Sequence, residues 1–247
     1  MAVENLQVTP EEWLKRAMGA KTANARERFA RHGLASHAPL DKTTQAMLLR
    51  QLYLARFEQQ RYAEAHRLAD EATGLGVLAD VLHQDAARAA FANGDADAGL
   101  SHLRAAARKG PADRRAFHHW TLGSALFLLH RYPEAESALS RAVRWGTKDK
   151  PLYVAHLALV QLAAGKTPAV DLQEAVHALA EAPCGQGYGR FVLGHLAYAT
   201  GSLKAARRYL EAFIRKVESG PAVQALALAG ELATSRATLE KATDDDN

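Results

Sequence analysis

At 247 residues, with 48% hydrophobic and 23% charged side chains, the chain has the composition of a folded protein with a large buried core, which excludes a disordered or fibrous class. The single cysteine, Cys184, rules out an internal disulfide and fits a reducing compartment. The net charge of +4 is thinly spread, with 17 Lys+Arg against 14 Asp+Glu over residues 1–124 and 14 against 13 over the remainder, so neither half is strongly basic.

Taken in order, MAVENLQVTPEEW lacks the basic and apolar regions of an export signal, and residues 1–8 read as a flexible start. No later run approaches the roughly 18 apolar residues of a membrane span. These features predict a cytosolic protein without membrane insertion, and the Arg and Ala bias points to a bacterial source. Thr9-Pro10-Glu11-Glu12 combines a Thr cap, Pro at the first helical position and an acid at the third, opening an irregular helix pair predicted over 9–40.

From residue 46 the chain repeats itself. RYAEAHRLADEA at 61–72 returns as RYPEAESALSRA at 131–142. The link between two predicted helices falls at Gln60, Gly94, His130, Gly165 and Gly201, spaced by 34, 36, 35 and 36 residues. Seven positions before each link stand Tyr53, Ala87, Gly123, Ala158 and Gly194. Five positions after it stand Ala65, Gly99, Ala135, Val170 and Ala206, again mostly small, as close helix packing requires. Apolar residues recur at three and four, as in Leu203, Ala206, Leu210 and Phe213, which is helix periodicity; sustained alternation is absent, so no strand is predicted. The eight prolines fall at or near the predicted helix boundaries. Residues 221–243 read as one closing helix and 244–247 as a frayed acidic tail.

TLGSALFLLHRYPEAESALSRAV, at 121–143, and NGDADAGLSHLRAAARKGP, with its late Ala106 and Pro111, resemble the tetratricopeptide repeat. The resemblance covers about 46–220, in repeats 46–79, 80–115, 116–150, 151–186 and 187–220. Tyr53 departs from the small-residue pattern, and the fourth repeat carries one extra residue before Pro183. What the resemblance implies is an all-α fold, a right-handed superhelical solenoid of antiparallel helix pairs. One pair cannot bury its own apolar face, so stacking supplies the missing flank.

In such a stack the first helix of each pair lines the concave side. Repeat positions 2, 5, 9 and 12 share one face of that helix. They read Met47, Arg50, Leu54 and Phe57, then Val81, Gln84, Arg88 and Phe91. The third repeat gives Phe117, Trp120, Ser124 and Phe127, the fourth Leu152, Ala155, Leu159 and Leu162, and the fifth Tyr188, Phe191, His195 and Tyr198. Aromatic rings with isolated arginines are interface anchors, and the expected partner is an apolar protein or peptide segment with acidic groups that meet Arg50 and Arg88. Some relatives of this family hold a chaperone's terminal carboxylate with Lys and Asn at positions 5 and 9. Here those positions read Arg50/Leu54, Gln84/Arg88 and Trp120/Ser124, so chaperone-tail binding is not expected.

Other chemistry finds less support. His118-His119 point about 100° apart on a helix and cannot share a metal, and no ligand spacing of a zinc site is present, so neither metal nor cofactor is expected. The glycines of Cys184-Gly185-Gln186-Gly187-Tyr188-Gly189 follow no strand and lack the Lys-Ser/Thr of a nucleotide loop, and read as a hinge between repeats. Arg104, Arg108, Lys109, Arg114 and Arg115 form the basic edge on which an RNA-binding alternative would rest, with the acids Asp113 and Glu134 interleaved. The expectation is a non-enzymatic adaptor or scaffold.

Overall fold

The protein is described by a computed structural model over residues 8–244. The expectations of a flexible start and an acidic tail fall almost wholly outside those residues. The described residues are helical throughout, with no strand, and none of their helices is long and apolar enough to cross a membrane. They fall into two compact units divided between Gly110 and Pro111.

The first unit holds α1 (Pro10–Met18), α2 (Ala23–Leu34), α3 (Lys42–Glu58), α4 (Tyr62–Thr73), α5 (Ala79–Ala92) and α6 (Ala96–Lys109). Each packs on the next, and α3 also touches α1 and α5. Thr9 caps α1 by accepting from the Glu12 N–H at 3.3 Å, with Pro10 at the first helical position. The third helix begins four residues before the expected start at 46, because Asp41 caps it by accepting from the N–H groups of Thr43 and Thr44. Behind it, Arg56 is clamped by Glu27 of α2 through two bonds of 2.6 Å, and its Nε lies 3.2 Å from Glu64 of α4. Burial raises the Glu27 carboxyl, but hydrogen bonds from Arg31 and Gln59 and the Arg56 charge hold it below its ordinary value.

The second unit holds α7 (Arg115–Leu128), α8 (Tyr132–Trp145), α9 (Lys150–Ala163), α10 (Leu172–Glu181), α11 (Gly189–Ala199), α12 (Leu203–Glu218), α13 (Ala222–Ala227) and α14 (Ala229–Asp244), with short 3-10 turns at Ala112–Arg114 and Pro183–Gln186. Successive helices pack here too, and the first helices of successive pairs meet, α7 on α9 and α9 on α11. The single closing helix expected over 221–243 is two, broken at Leu228.

The five link residues all adopt the left-handed backbone, with φ of 58° at Gln60, 81° at Gly94, 57° at His130, 71° at Gly165 and 77° at Gly201. The N–H after each bonds the carbonyl five residues back, Arg61 to Arg56, Asp95 to Ala90, Arg131 to Leu126, Lys166 to Gln161 and Ser202 to Ala197, at 2.8–2.9 Å. This closes the first helix of every pair in the same way and aims the chain back along it. The small slots have an equally direct cause. A Cβ on Gly123 would stand 2.6 Å from Leu139 Cγ, and one on Gly194 would strike Leu210, so these crossings leave no room for a side chain.

The fourth pair breaks the pattern after its link. Val170, expected in a buried small slot, is 41% exposed, because the chain runs on as a loop until Asp171 caps α10. Ala175, five residues later, is the buried small residue. Gln161 and Lys166 hold that loop, both bonding Glu136 of α8, while Gln161 Oε1 accepts from the Ala169 N–H.

Candidate functional site

In the first unit, α3 and α5 bring Arg50 and Arg88 onto one carboxylate. Arg50 Nε donates to Asp85 Oδ2 at 2.5 Å and Arg88 Nη1 to Asp85 Oδ1 at 2.9 Å. Arg88 Nη1 also lies 3.4 Å from the Tyr53 hydroxyl, which burial pushes up to about 12 and so keeps protonated. Asp85 is buried, whereas the arginine side chains keep 29% and 38% of their surface. Two guanidiniums against one carboxylate leave the cluster one positive charge in excess at a partly wet face. Gln84, beside Asp85, is half-buried. Tyr53 therefore replaces the small residue of the other repeats in the one pair where its hydroxyl has a guanidinium to receive.

In the second unit the predicted residues meet in a largely buried aromatic cluster. Trp120 Nε1 donates to His156 Nδ1 at 3.2 Å, and the Trp120 ring stands edge-on to Tyr188 at 4.9 Å. The Tyr188 hydroxyl bonds Ser124 and donates to Glu231 Oε1 of α14 at 3.1 Å. Phe191 packs on His195 at 4.5 Å and on Phe213 at 5.6 Å, and Phe127 closes on His156 at 5.5 Å. Burial drives His156 down to about 3 and His195 to about 4, so both are neutral at ordinary pH, and it raises the Tyr188 hydroxyl and the Glu231 carboxyl.

Several predicted anchors thus do not line an open face. Phe57 and Phe191 have no exposed surface, and Ser124, Phe127 and His195 are buried. The cause at position 12 is packing within the pair: Phe57 and Phe127 turn onto Tyr62 and Tyr132 at the start of the following helix, and the Phe91 ring fills the space that Gly99 leaves. Arg50, Gln84, Arg88, Phe91, Trp120, Tyr188 and Tyr198 retain partial exposure, and Phe117 is 43% exposed beside Trp120.

Of the basic edge, Lys109 Nζ sits 3.1 Å from His83 Nε2, and Arg115 stacks over the Trp145 ring at 5.0 Å. His83 Nδ1 lies 3.1 Å from His102 Nδ1; burial, then the Lys109 charge, push His83 down to about 4. Among the described residues no group of three or more His, Cys, Asp or Glu side chains is disposed to hold a metal. Burial raises the Cys184 thiol.

Sequence reasoning missed Asp85, His156 and Glu231. The first two carried a signal: Arg50 and Asp85 are 35 residues apart and Trp120 and His156 are 36 apart, so each bond joins position 5 of one repeat to position 6 of the next. Complementary residues one period plus a step apart were there to be sought. Glu231 lies outside the repeats and carried no such mark. In comparison with known proteins, no family model matches the chain, and no curated protein matches it.

Proposed function

We propose that this chain is a tetratricopeptide-type solenoid acting as a non-enzymatic adaptor in the cytosol, and that it binds a protein segment whose acidic side chain docks on Arg50 and Arg88. The observation that carries this reading is the Arg50–Asp85–Arg88 cluster. Asp85 spends one bond on each guanidinium and fixes both in place, so their remaining N–H groups are preorganised for a second carboxylate without further ordering cost. The 35-residue recurrence of helix pairs and the crowded small-residue crossings support the family reading.

The test is photo-crosslinking in cell extract of the source from a reactive residue at position 84, with position 71 on the exposed side of α4 as control. A protein adduct is expected from position 84 alone. It is expected to vanish in R50Q/D85N/R88Q, where the Asp85 change avoids stranding a buried carboxylate. Nucleic-acid adducts, or protein adducts indifferent to the triple substitution at unchanged melting temperature, would overturn the reading.

A further inference from the structure

The repeat pattern accounts for every helix of the second unit up to α12, but not for α14. Closing the stack requires contact with α11 and α12 only, yet α14 also reaches α7, two pairs back, with Gly230 against Leu128. Its buried seam is Glu231, Leu232, Ser235, Thr238 and Ala242. Three of those five are polar, whereas α12 buries Ala206, Leu210, Phe213 and Val217. The polar seam is also poorly matched. Thr238 Oγ1 stands 3.5 Å from His195 Nδ1, at the limit of a hydrogen bond, and Ser235 Oγ and His195 Nε2 are buried without a protein partner. Such groups oppose docking. The connecting α13 buries no residue, and α14 is tied back to α12 by Arg207 on the Ala242 carbonyl at 2.8 Å and by Arg236 on Glu218 at 2.5 Å.

We propose that the face built from Leu128, Tyr188 and His195 is a helix-binding surface that α14 occupies as a resident stand-in. Its partner is an amphipathic helix of another protein with the same seam, a glutamate or glutamine for Tyr188 followed by small residues four, seven and eleven positions on. A helix that presents alanine where α14 presents Ser235 strands no hydroxyl there and so competes with the tethered α14 when supplied above its effective concentration. This rests on the reading of the repeats as a binding surface, but it concerns residues of the second unit, whereas Arg50 and Arg88 belong to the first.

The experiment uses the full-length chain and labelled synthetic peptides of residues 229–244. The S235A peptide is expected to bind the wild-type chain at least tenfold more tightly than an E231R peptide does. Its binding is expected to raise deuterium uptake in the chain's own α14 while α7 and α11 stay protected. In a full-length E231R variant, where a guanidinium replaces the carboxyl under Tyr188, the wild-type peptide is expected to bind at least tenfold more tightly than to the wild-type chain. Absence of peptide binding to the wild-type chain, or binding that leaves α14 protected, would overturn the proposal, and the wild-type arm decides even if E231R does not fold. Crosslinking from position 84 reads the first unit, so its failure beside successful peptide exchange would count against the adaptor reading at Arg50 and Arg88 alone.

Discussion

The two units fill the same inter-repeat slot with opposite chemistry. Where position 5 of one repeat meets position 6 of the next, the first unit places Arg50 on Asp85 and the second places Trp120 on His156. The backbone geometry is shared, so the difference lies in solvent access. Arg50 and Arg88 stay partly wet and retain donors beyond those given to Asp85, and a charge held at a wet boundary remains able to bind. His156 is sealed, and a sealed imidazole contributes to the fold by remaining neutral. One repeat pattern thus yields a partly wet charged cluster in one unit and a largely buried aromatic cluster, joined to α14 through Tyr188, in the other.

The contrast breaks most sharply at Arg56, whose side chain is 5% exposed and which fastens α2 to α3 and α4 through Glu27 and Glu64. Replacing Arg56 with Ala removes the bidentate partner of Glu27, which keeps Arg31 and part of its surface, and the expected loss is about 1.5–3 kcal/mol, the worth of charge-assisted bonds to a buried guanidinium. Urea denaturation measures the loss, and hydrogen exchange should locate it in the first unit. A change below about 1 kcal/mol would make this a solvated surface pair.

Acid should sharpen the comparison from the other side. His119, His156 and His195 of the second unit have folded-state values of about 4, 3 and 4, below the unfolded value of about 6.5. Above pH 6.5 neither state binds these protons. As the pH falls from there toward 4, the unfolded chain takes up protons that the folded unit refuses, and stability drops by about 1.4 kcal/mol per pH unit for each histidine. In the first unit His83 and His102 are shifted the same way, while the lowered Glu27 adds a loss only below its unfolded value of 4.5. Hydrogen exchange at pH 7 and pH 5 should therefore find the second unit loosening more. Equal loosening would mean that its histidines are reached by solvent in the native state.

What could be read from the residues alone divides along the same physical line. Helix pairs, link positions and small slots recur every 35 residues or so, and a recurring steric demand leaves a recurring mark: the five links all turn out left-handed, and Gly123 and Gly194 both lie where a Cβ has no room. Exposure leaves no such mark. Phe57 and Arg50 lie on one predicted face, yet the ring is buried and the guanidinium is not, because the aromatic at position 12 is drawn onto the helix that follows. The role of Glu231 was illegible for a related reason. Its partner Tyr188 is 43 residues away, a separation that matches no repeat, and only the folded path of α14 brings them together. Val170 was misplaced because one loop of irregular length shifts every later position of that pair.

The finest comparison uses one turn from each unit. Gln60 and His130 hold the left-handed conformation that glycine holds at the other three links, at φ of 58° and 57°. A side chain there costs about 1 kcal/mol or somewhat more in steric strain, part of which returns on replacement by glycine because glycine also frees the unfolded chain. Gln60→Gly is therefore expected to raise stability by up to about 1 kcal/mol. His130→Gly starts from the same strain, but it discards the 2.8 Å bond between His130 Nδ1 and the Tyr132 hydroxyl and the ring packing between them, and its gain should be smaller by about 0.5–1 kcal/mol, the net worth of such a bond. Thermal melts of the two variants give the ordering directly. Equal gains would mean that the imidazole contact contributes nothing, and a larger gain at position 130 would mean that the bond to Tyr132 holds the turn in a worse geometry than glycine finds unaided.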